Sequence, residues 1–308
     1  MDNGLSTYDR YFRANDFQDG PAKLLASLDL TKAAYTADQA REIIDYFRLR
    51  MLATAYVEVE RRLAENGLAR RIRLASPLCA FEVDLLEARI AYRNGYYHRA
   101  YNLCEVLLRR VEAHAQIDLS GKAAINTTFF RARITTVAGK ALHRASDHAM
   151  ARVYYGLALD YLGQMNSEDF TENFHLFARR LVLLARTYSD FPDELKRVRQ
   201  LLQLARQLYD KWFAIDSRKT PSARLHLMYM EIEELEAYVT IEEKRNGRYF
   251  PYLHGKQPWF KKTHDHLERA WQIVASVLGK EPTSRSAHIF NLRARASLLQ
   301  AENSYRLS

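Results

Sequence analysis

Cysteine is scarce in this chain of 308 residues: there are two, Cys79 and Cys104. Two cysteines exclude a disulfide framework, and neither has a CxxC or Cys/His neighbourhood of the kind that holds zinc. Buried thiols in a reducing compartment are the expected state. Chain breakers are also few, with 11 glycines and 7 prolines, below the usual ~7% and ~5%. Apolar runs such as Leu181-Val182-Leu183-Leu184-Ala185 are short, far from the ~20 residues that span a bilayer. The start, Met1-Asp2-Asn3-Gly4-Leu5, has neither the basic nor the apolar segment of a secretory signal. A cytoplasmic protein with no membrane partner is expected. No stretch alternates long enough to read as a strand. No Gly-rich phosphate loop and no nucleophile elbow occur, so no enzyme, cofactor or metal is expected.

What the chain does have is helix-forming residues and positive charge. Its 48% hydrophobic content is enough for a large core, and abundant Ala, Leu, Arg and Glu favour long helices. The formal charge of +9 is spread along the chain rather than gathered in a tail, which favours acidic partners in general.

Helix starts are marked by local chemistry. Thr36-Ala37-Asp38-Gln39 is a capping box, and the helix it opens extends toward Glu65, where Asn66-Gly67 offers a left-handed stop. Ser76-Pro77 supplies an N-cap and a first-turn proline for a helix ending at Asn94-Gly95. Further helices are expected from about Tyr97 to Gln116, Ser120 to Ala145, Asp147 to Gln164, Ser167 to Tyr188, Asp193 to Ala214, Thr220 to Arg245, Trp259 to Leu278 and Thr283 to Arg306. Links of two to six residues make neighbouring helices antiparallel.

Two segments repeat one pattern. Ala88, Gly95, Tyr97 and Ala100 in the first correspond to Gly139, Ser146, His148 and Ala151 in the second, with Tyr155 and Ala158 following. A small residue lets two helices approach, Gly or Ser supports the turn, and the ring closes the hairpin. On these residues the chain resembles the tetratricopeptide repeat. Asp84 and Thr135 stand where that family has its early tryptophan, and Ala100 and Ala151 are 51 residues apart, against ~34 in the standard repeat. The resemblance implies an all-α fold of about nine to eleven helices, stacked as a TPR-like α-solenoid. The expected organisation is a helical N-terminal segment at 1–75, TPR-like hairpins at 76–220 and a C-terminal helical region at 221–308.

The resemblance also implies that the first helix of each hairpin lines a concave surface. Glu82, Leu86, Arg89 and Arg93 share one helical face, with Tyr92 beside them. Arg133, Val137, Lys140 and Arg144 do the same, with His143 beside them. Arg89, Tyr92, Arg93, Arg133, Lys140, His143 and Arg144 are therefore the candidate partner-binding residues. An Arg fork can pair with a carboxylate in two places at once. The expected function is a non-enzymatic scaffold or adaptor that holds an acidic or carboxylate-bearing protein segment. A homo-oligomer is compatible with it. The bland alternative is an ordinary solvated face.

A second reading is nucleic-acid binding. Arg93-Asn94-Gly95-Tyr96-Tyr97-His98 resembles the Arg-Asn-x-x-x-His motif of the HEPN ribonucleases, which would give Arg93 and His98 roles in RNA cleavage. The segment 245–262 mixes aromatic rings with basic residues, and Arg248, Tyr252, Lys256, Lys261 and Lys262 would bind a single strand there. The alternative is that its rings plug the core while the lysines stay wet. Glu231, Glu233, Glu234 and Glu236 read as an exposed acidic helix face.

Overall fold

The computed structural model describes residues 24–52, 56–116, 127–164, 174–216, 223–246 and 258–278, with 289, 291–294 and 296–297 toward the C-terminus. These residues are all-helical, and none of them forms a strand. In chain order the helices are α1 (Ala37–Leu52), α2 (Tyr56–Ala64), α3 (Leu68–Ala75), α4 (Pro77–Arg93), α5 (Tyr97–Gln116), α6 (Thr127–Arg144), α7 (His148–Gly163), α8 (Phe174–Tyr188), α9 (Leu195–Asp216), α10 (Ala223–Asn246) and α11 (Pro258–Leu278). None is long and apolar enough to cross a membrane. The chain divides into two compact units, Met1–Asn166 and Ser167–Ser308.

The caps form as their residues dictate. Thr36 Oγ1 accepts from the Gln39 amide at 3.3 Å, and Gln39 Oε1 accepts from the Thr36 amide at 3.2 Å. Ser76 Oγ accepts from the Cys79 amide at 3.1 Å, with Pro77 in the first turn. Asp147 Oδ1 accepts from the Met150 amide at 3.0 Å. Asn66 and Gly67 both take left-handed backbone, at φ 49° and 68°. The chain then re-enters a helix at once as α3, which the sequence reading did not anticipate. The expected cap at Ser120 and the helix at 283–306 lie outside or only partly inside the described residues.

The two matched segments close their first helix with the same kind of turn. After α4, Gly95 has φ 83° and the Tyr96 amide donates to Ala91 O at 2.9 Å. After α6, Ser146 has φ 65° and the Asp147 amide donates to Leu142 O at 2.9 Å. Both are helix ends closed by a left-handed residue, whose next amide reaches back over the last turn. The predicted close approach is also present. A Cβ added at Gly139 would lie 2.8 Å from the Tyr155 ring, so only glycine lets α6 and α7 meet there.

In the first unit each helix packs on its sequence neighbours, and α4 also touches α1 and α6. The residues 24–75 have no separate core: Ile43, Phe47, Val59, Leu63 and Ile72 pack in one cluster with Cys79, Val83, Leu86 and Ile90 of α4. The first unit thus carries residues 24–75 together with α4 in one core. In the second unit α8 packs on α9 and α10 on α11. Met230, Ala237 and Ile241 of α10 share a core with Leu267 and Ala270 of α11 and with Ile289 and Leu292.

The acidic stretch on α10 corrects the sequence reading, because it is largely buried. Glu233 is 0% exposed, and Glu234 and Glu242 are buried too. Several of these acids meet cations from neighbouring helices. Arg206 of α9 reaches Glu233 at 2.7 Å, His266 of α11 bonds the same carboxylate, and Arg269 approaches it at 3.2 Å. Arg199 of α9 holds Glu236 at 2.9 Å and Glu243 at 2.6 Å. Burial opposes ionisation of Glu233, but the His266 and Arg206 hydrogen bonds outweigh it and bring the carboxyl down to about 2. These acids are the polar seam of the second unit.

Candidate functional site

The candidate stripes are not exposed along their length. Leu86 and Val137, midway along α4 and α6, are buried. Leu86 belongs to the core shared with α1–α3. The helix that precedes the first matched hairpin covers this part of α4, so the apolar stripe residues pack inward. Only the C-terminal turns of α4 and α6 bring stripe residues to the surface.

Arg133 illustrates the difference. It is 8% exposed, and its guanidinium is engaged by both oxygens of Glu82, with Nη2 to Oε2 at 2.8 Å. Its Cζ lies 4.9 Å from the Phe130 ring centre. Burial pushes the Glu82 carboxyl up, and the Arg133 charge, with Arg48 and Arg89 behind it, brings it down to about 2. Arg133 is thus occupied in joining α4 to α6. Arg89 is half-buried, and its charge favours ionisation of Glu82 and Cys104. Burial pushes the Cys104 thiol up to about 12 and raises that of Cys79 as well. Neither thiol is a nucleophile at neutral pH.

At the other end of the stripes stand Tyr92, Arg93 and Arg144. Arg93 is exposed, with Cζ 5.5 Å from the Tyr56 ring centre and 5.9 Å from that of Tyr92. Arg144 is exposed, and the proximity of the Tyr92 hydroxyl raises its pKa. The Tyr97 ring packs on Tyr92 at 5.9 Å, and Tyr97 and Tyr155 also lie within electrostatic reach of Arg144. No carboxylate among the described residues forms an ion pair with Arg93 or Arg144. The acids of α4 and Glu60 of α2 have partners of their own: Glu82 with Arg133, Asp84 with Arg73 and Arg110, Glu87 with Arg73, and Glu60 with the Asn94 amide at 2.8 Å. The Tyr56 and Tyr92 rings hold the Arg93 guanidinium without neutralising it. Lys140 is half-buried one turn before Arg144, and the His143 ring meets that of His148 edge-on at 5.1 Å.

The Arg-Asn-x-x-x-His motif is divided by the turn. Arg93 ends α4, and His98, exposed, lies in the first turn of α5. Asn94 and Arg93 both engage α2, at Glu60 and Tyr56, and Gly95 supplies the left-handed turn. Packing accounts for every motif position except His98. Arg248, Tyr252 and Lys256 lie outside the described residues. Lys261 and Lys262 are exposed at the start of α11, while Trp259 beside them is buried and packs edge-on against Phe260 at 5.9 Å. Here the rings face the core and the lysines face solvent.

Tyr56 is the site residue that sequence reasoning missed. It belongs to α2, 37 positions before Arg93, and no spacing rule links it to the α4 stripe.

No family model matches the chain, and no curated protein matches it. Among solved structures, the chain is similar to BtubC (BKLC) from P. vanneervenii, with 16% identity over 91% of this chain and 95% of that chain and a TM-score of 0.45.

Proposed function

We propose that this protein is a non-enzymatic interaction scaffold whose helical hairpins stack in the manner of a TPR-like α-solenoid, and that it binds an acidic protein segment. The contact surface is the end of α4 and α6, formed by Tyr92, Arg93 and Arg144 with Tyr56, Lys140 and His143 around them. The observation that carries the reading is the pair of exposed guanidiniums at the ends of α4 and α6, Arg93 over the Tyr56 and Tyr92 rings and Arg144, neither ion-paired to a described carboxylate. An intramolecular ion pair would spend that charge, as it does at Arg133. A cation held in a fixed geometry by rings loses little freedom when an anion arrives.

Arg89 and Arg133 act on this reading as support, because their charges are directed at Glu82. The experiment is affinity capture from lysate with and without nuclease treatment, comparing the native chain with an Arg93→Glu/Arg144→Glu variant of unchanged helicity. Proteins retained by the native chain and lost by the variant are expected. Equal retention by both would remove the surface from the account, and capture abolished by nuclease would transfer it to nucleic acid.

A further inference from the structure

The second helices of the two matched hairpins expose equivalent faces. Arg99, Asn102, Val106 and Arg109 line one face of α5, and 51 positions later Met150, Val153, Leu157 and Asp160 line one face of α7. All are exposed except Leu157, which is half-buried. The two helices stand side by side: the Tyr101 and Tyr154 rings meet edge-on at 5.6 Å, their hydroxyls lie 3.2 Å apart, and Tyr154 donates to Glu105. They run the same way because α4 and α6 do, and each hairpin then reverses the chain. Glu82 meets Arg133 toward one end of α4 and α6, and Ala91 clusters with Ala141 toward the other. Val106 follows Glu105 and Val153 precedes Tyr154, so the two valines flank the contact that joins α5 to α7. They are 56% and 52% exposed.

Apolar side chains scattered singly on a surface need no partner. Here Val106, Met150 and Val153 share two joined helices, and the charges around them are sorted by sign. Among the described residues, α5 exposes Arg99 and Arg109 and no acid, whereas α7 exposes Asp160, with Asp147 as its N-cap, and no base. No described carboxylate forms an ion pair with Arg99, and no described cation with Asp160; Arg109 comes only within 3.9 Å of Glu105. We propose that this face is the contact between two copies of the chain. A two-fold axis along the helices lays α5 of one copy on α7 of the other. Arg109 then meets Asp160 of the second copy, Arg99 reaches its Asp147, and the valines lie between, with every contact made twice. The other two-fold arrangement, which lays α5 on α5, sets Arg99 against Arg109 and is disfavoured by like charge. The apolar area is small, so the dimer is reversible and its population follows protein concentration. None of these residues belongs to the Arg93 surface, and the dimer does not depend on the acidic-segment reading.

The test is sedimentation equilibrium of the full chain from about 1 to 100 μM, with circular dichroism to show that each variant keeps its helicity. The mass of the native chain should rise with concentration from one copy toward two. Val106→Glu with Val153→Glu should hold it at one. Arg109→Asp and Asp160→Arg should each raise the dissociation constant by about tenfold or more. Combined in one chain, these two exchanges should restore dimerisation, because each copy again supplies both members of the pair. A native chain that stays at one copy up to the highest concentration would overturn the proposal. So would a dimer indifferent to the substitutions, which places the contact elsewhere, or a double exchange no stronger than the single ones, which removes the pairing of α5 with α7.

Discussion

Replacing Glu82 with alanine should destabilise the first unit by about 3 kcal/mol, and the structure says why. The Arg133 guanidinium that Glu82 holds is almost wholly buried, with both oxygens of the carboxylate bound to it. Removing one partner of a buried ion pair strands the other, at about 3–5 kcal/mol. The Phe130 ring, 4.9 Å away, retains some attraction for the cation, on the order of 1 kcal/mol, which places the expected cost at the lower end. Linkage gives a consistent figure. Ionisation at about 2 in the folded chain against an ordinary 4.5 corresponds to on the order of 3 kcal/mol. The sign follows from the lowered folded value: this stability is fully present above pH 4.5 and is lost as pH falls toward 2. Replacing both partners by apolar residues, Glu82→Leu with Arg133→Met, should cost little, because no charge is left stranded. Urea denaturation followed by circular dichroism at neutral and acidic pH measures all three quantities. A loss under about 1 kcal/mol for Glu82→Ala at neutral pH would refute the reasoning, as would a double variant no more stable than the single one.

Ser146→Gly should stabilise the α6–α7 turn by up to ~1 kcal/mol, since φ 65° suits glycine better than serine, and Gly95→Ala should cost about as much at the equivalent turn; melting temperatures decide both. Gly139→Ala drives a Cβ to 2.8 Å from the buried Tyr155 ring. Its overpacking cost of ~1–3 kcal/mol should exceed the ~1 kcal/mol of helix propensity gained, whereas Gly156→Ala, which meets nothing within 4 Å, should stabilise; the two midpoints in urea should move in opposite directions. Glu233→Leu should destabilise the second unit by about 3–5 kcal/mol by stranding Arg206, and proteolysis of residues 167–308 should accelerate in that variant. In the native chain the Glu233 contribution is present above pH 4.5 and fades toward 2.

Local signals made much of the helical plan legible. Thr36, Ser76 and Asp147 cap because a short polar side chain reaches its own helix's free amides, an interaction spanning three residues. Gly95 and Ser146 mark turns for the same local reason. Helix α3 was not legible, since its N-cap is Gly67 with no side-chain bond. The fate of the charges was not legible either. Whether a Glu is wet or buried depends on partners far along the chain, 51 residues away for Glu82 and Arg133 and 33 for Glu233 and His266. Asp84, at the position of the family's tryptophan, shows the same limit: it binds Arg73 and Arg110 rather than filling a core. Of the stripe residues, Arg93 and Arg144 are exposed and Tyr92 is half-buried beside Arg93. The stripe rule misjudged Arg133, because helical spacing says which residues share a face and not whether a neighbouring helix covers it.

The central claim is that Arg93 and Arg144 present uncompensated charge to an acidic protein segment. It is tested most directly by the affinity of the native chain for a labelled, glutamate-rich peptide pool, measured at low and high salt beside Arg93→Glu/Arg144→Glu. The account predicts binding that weakens with salt and falls by about tenfold or more in the variant. Equal affinity of the two chains at low salt would contradict it.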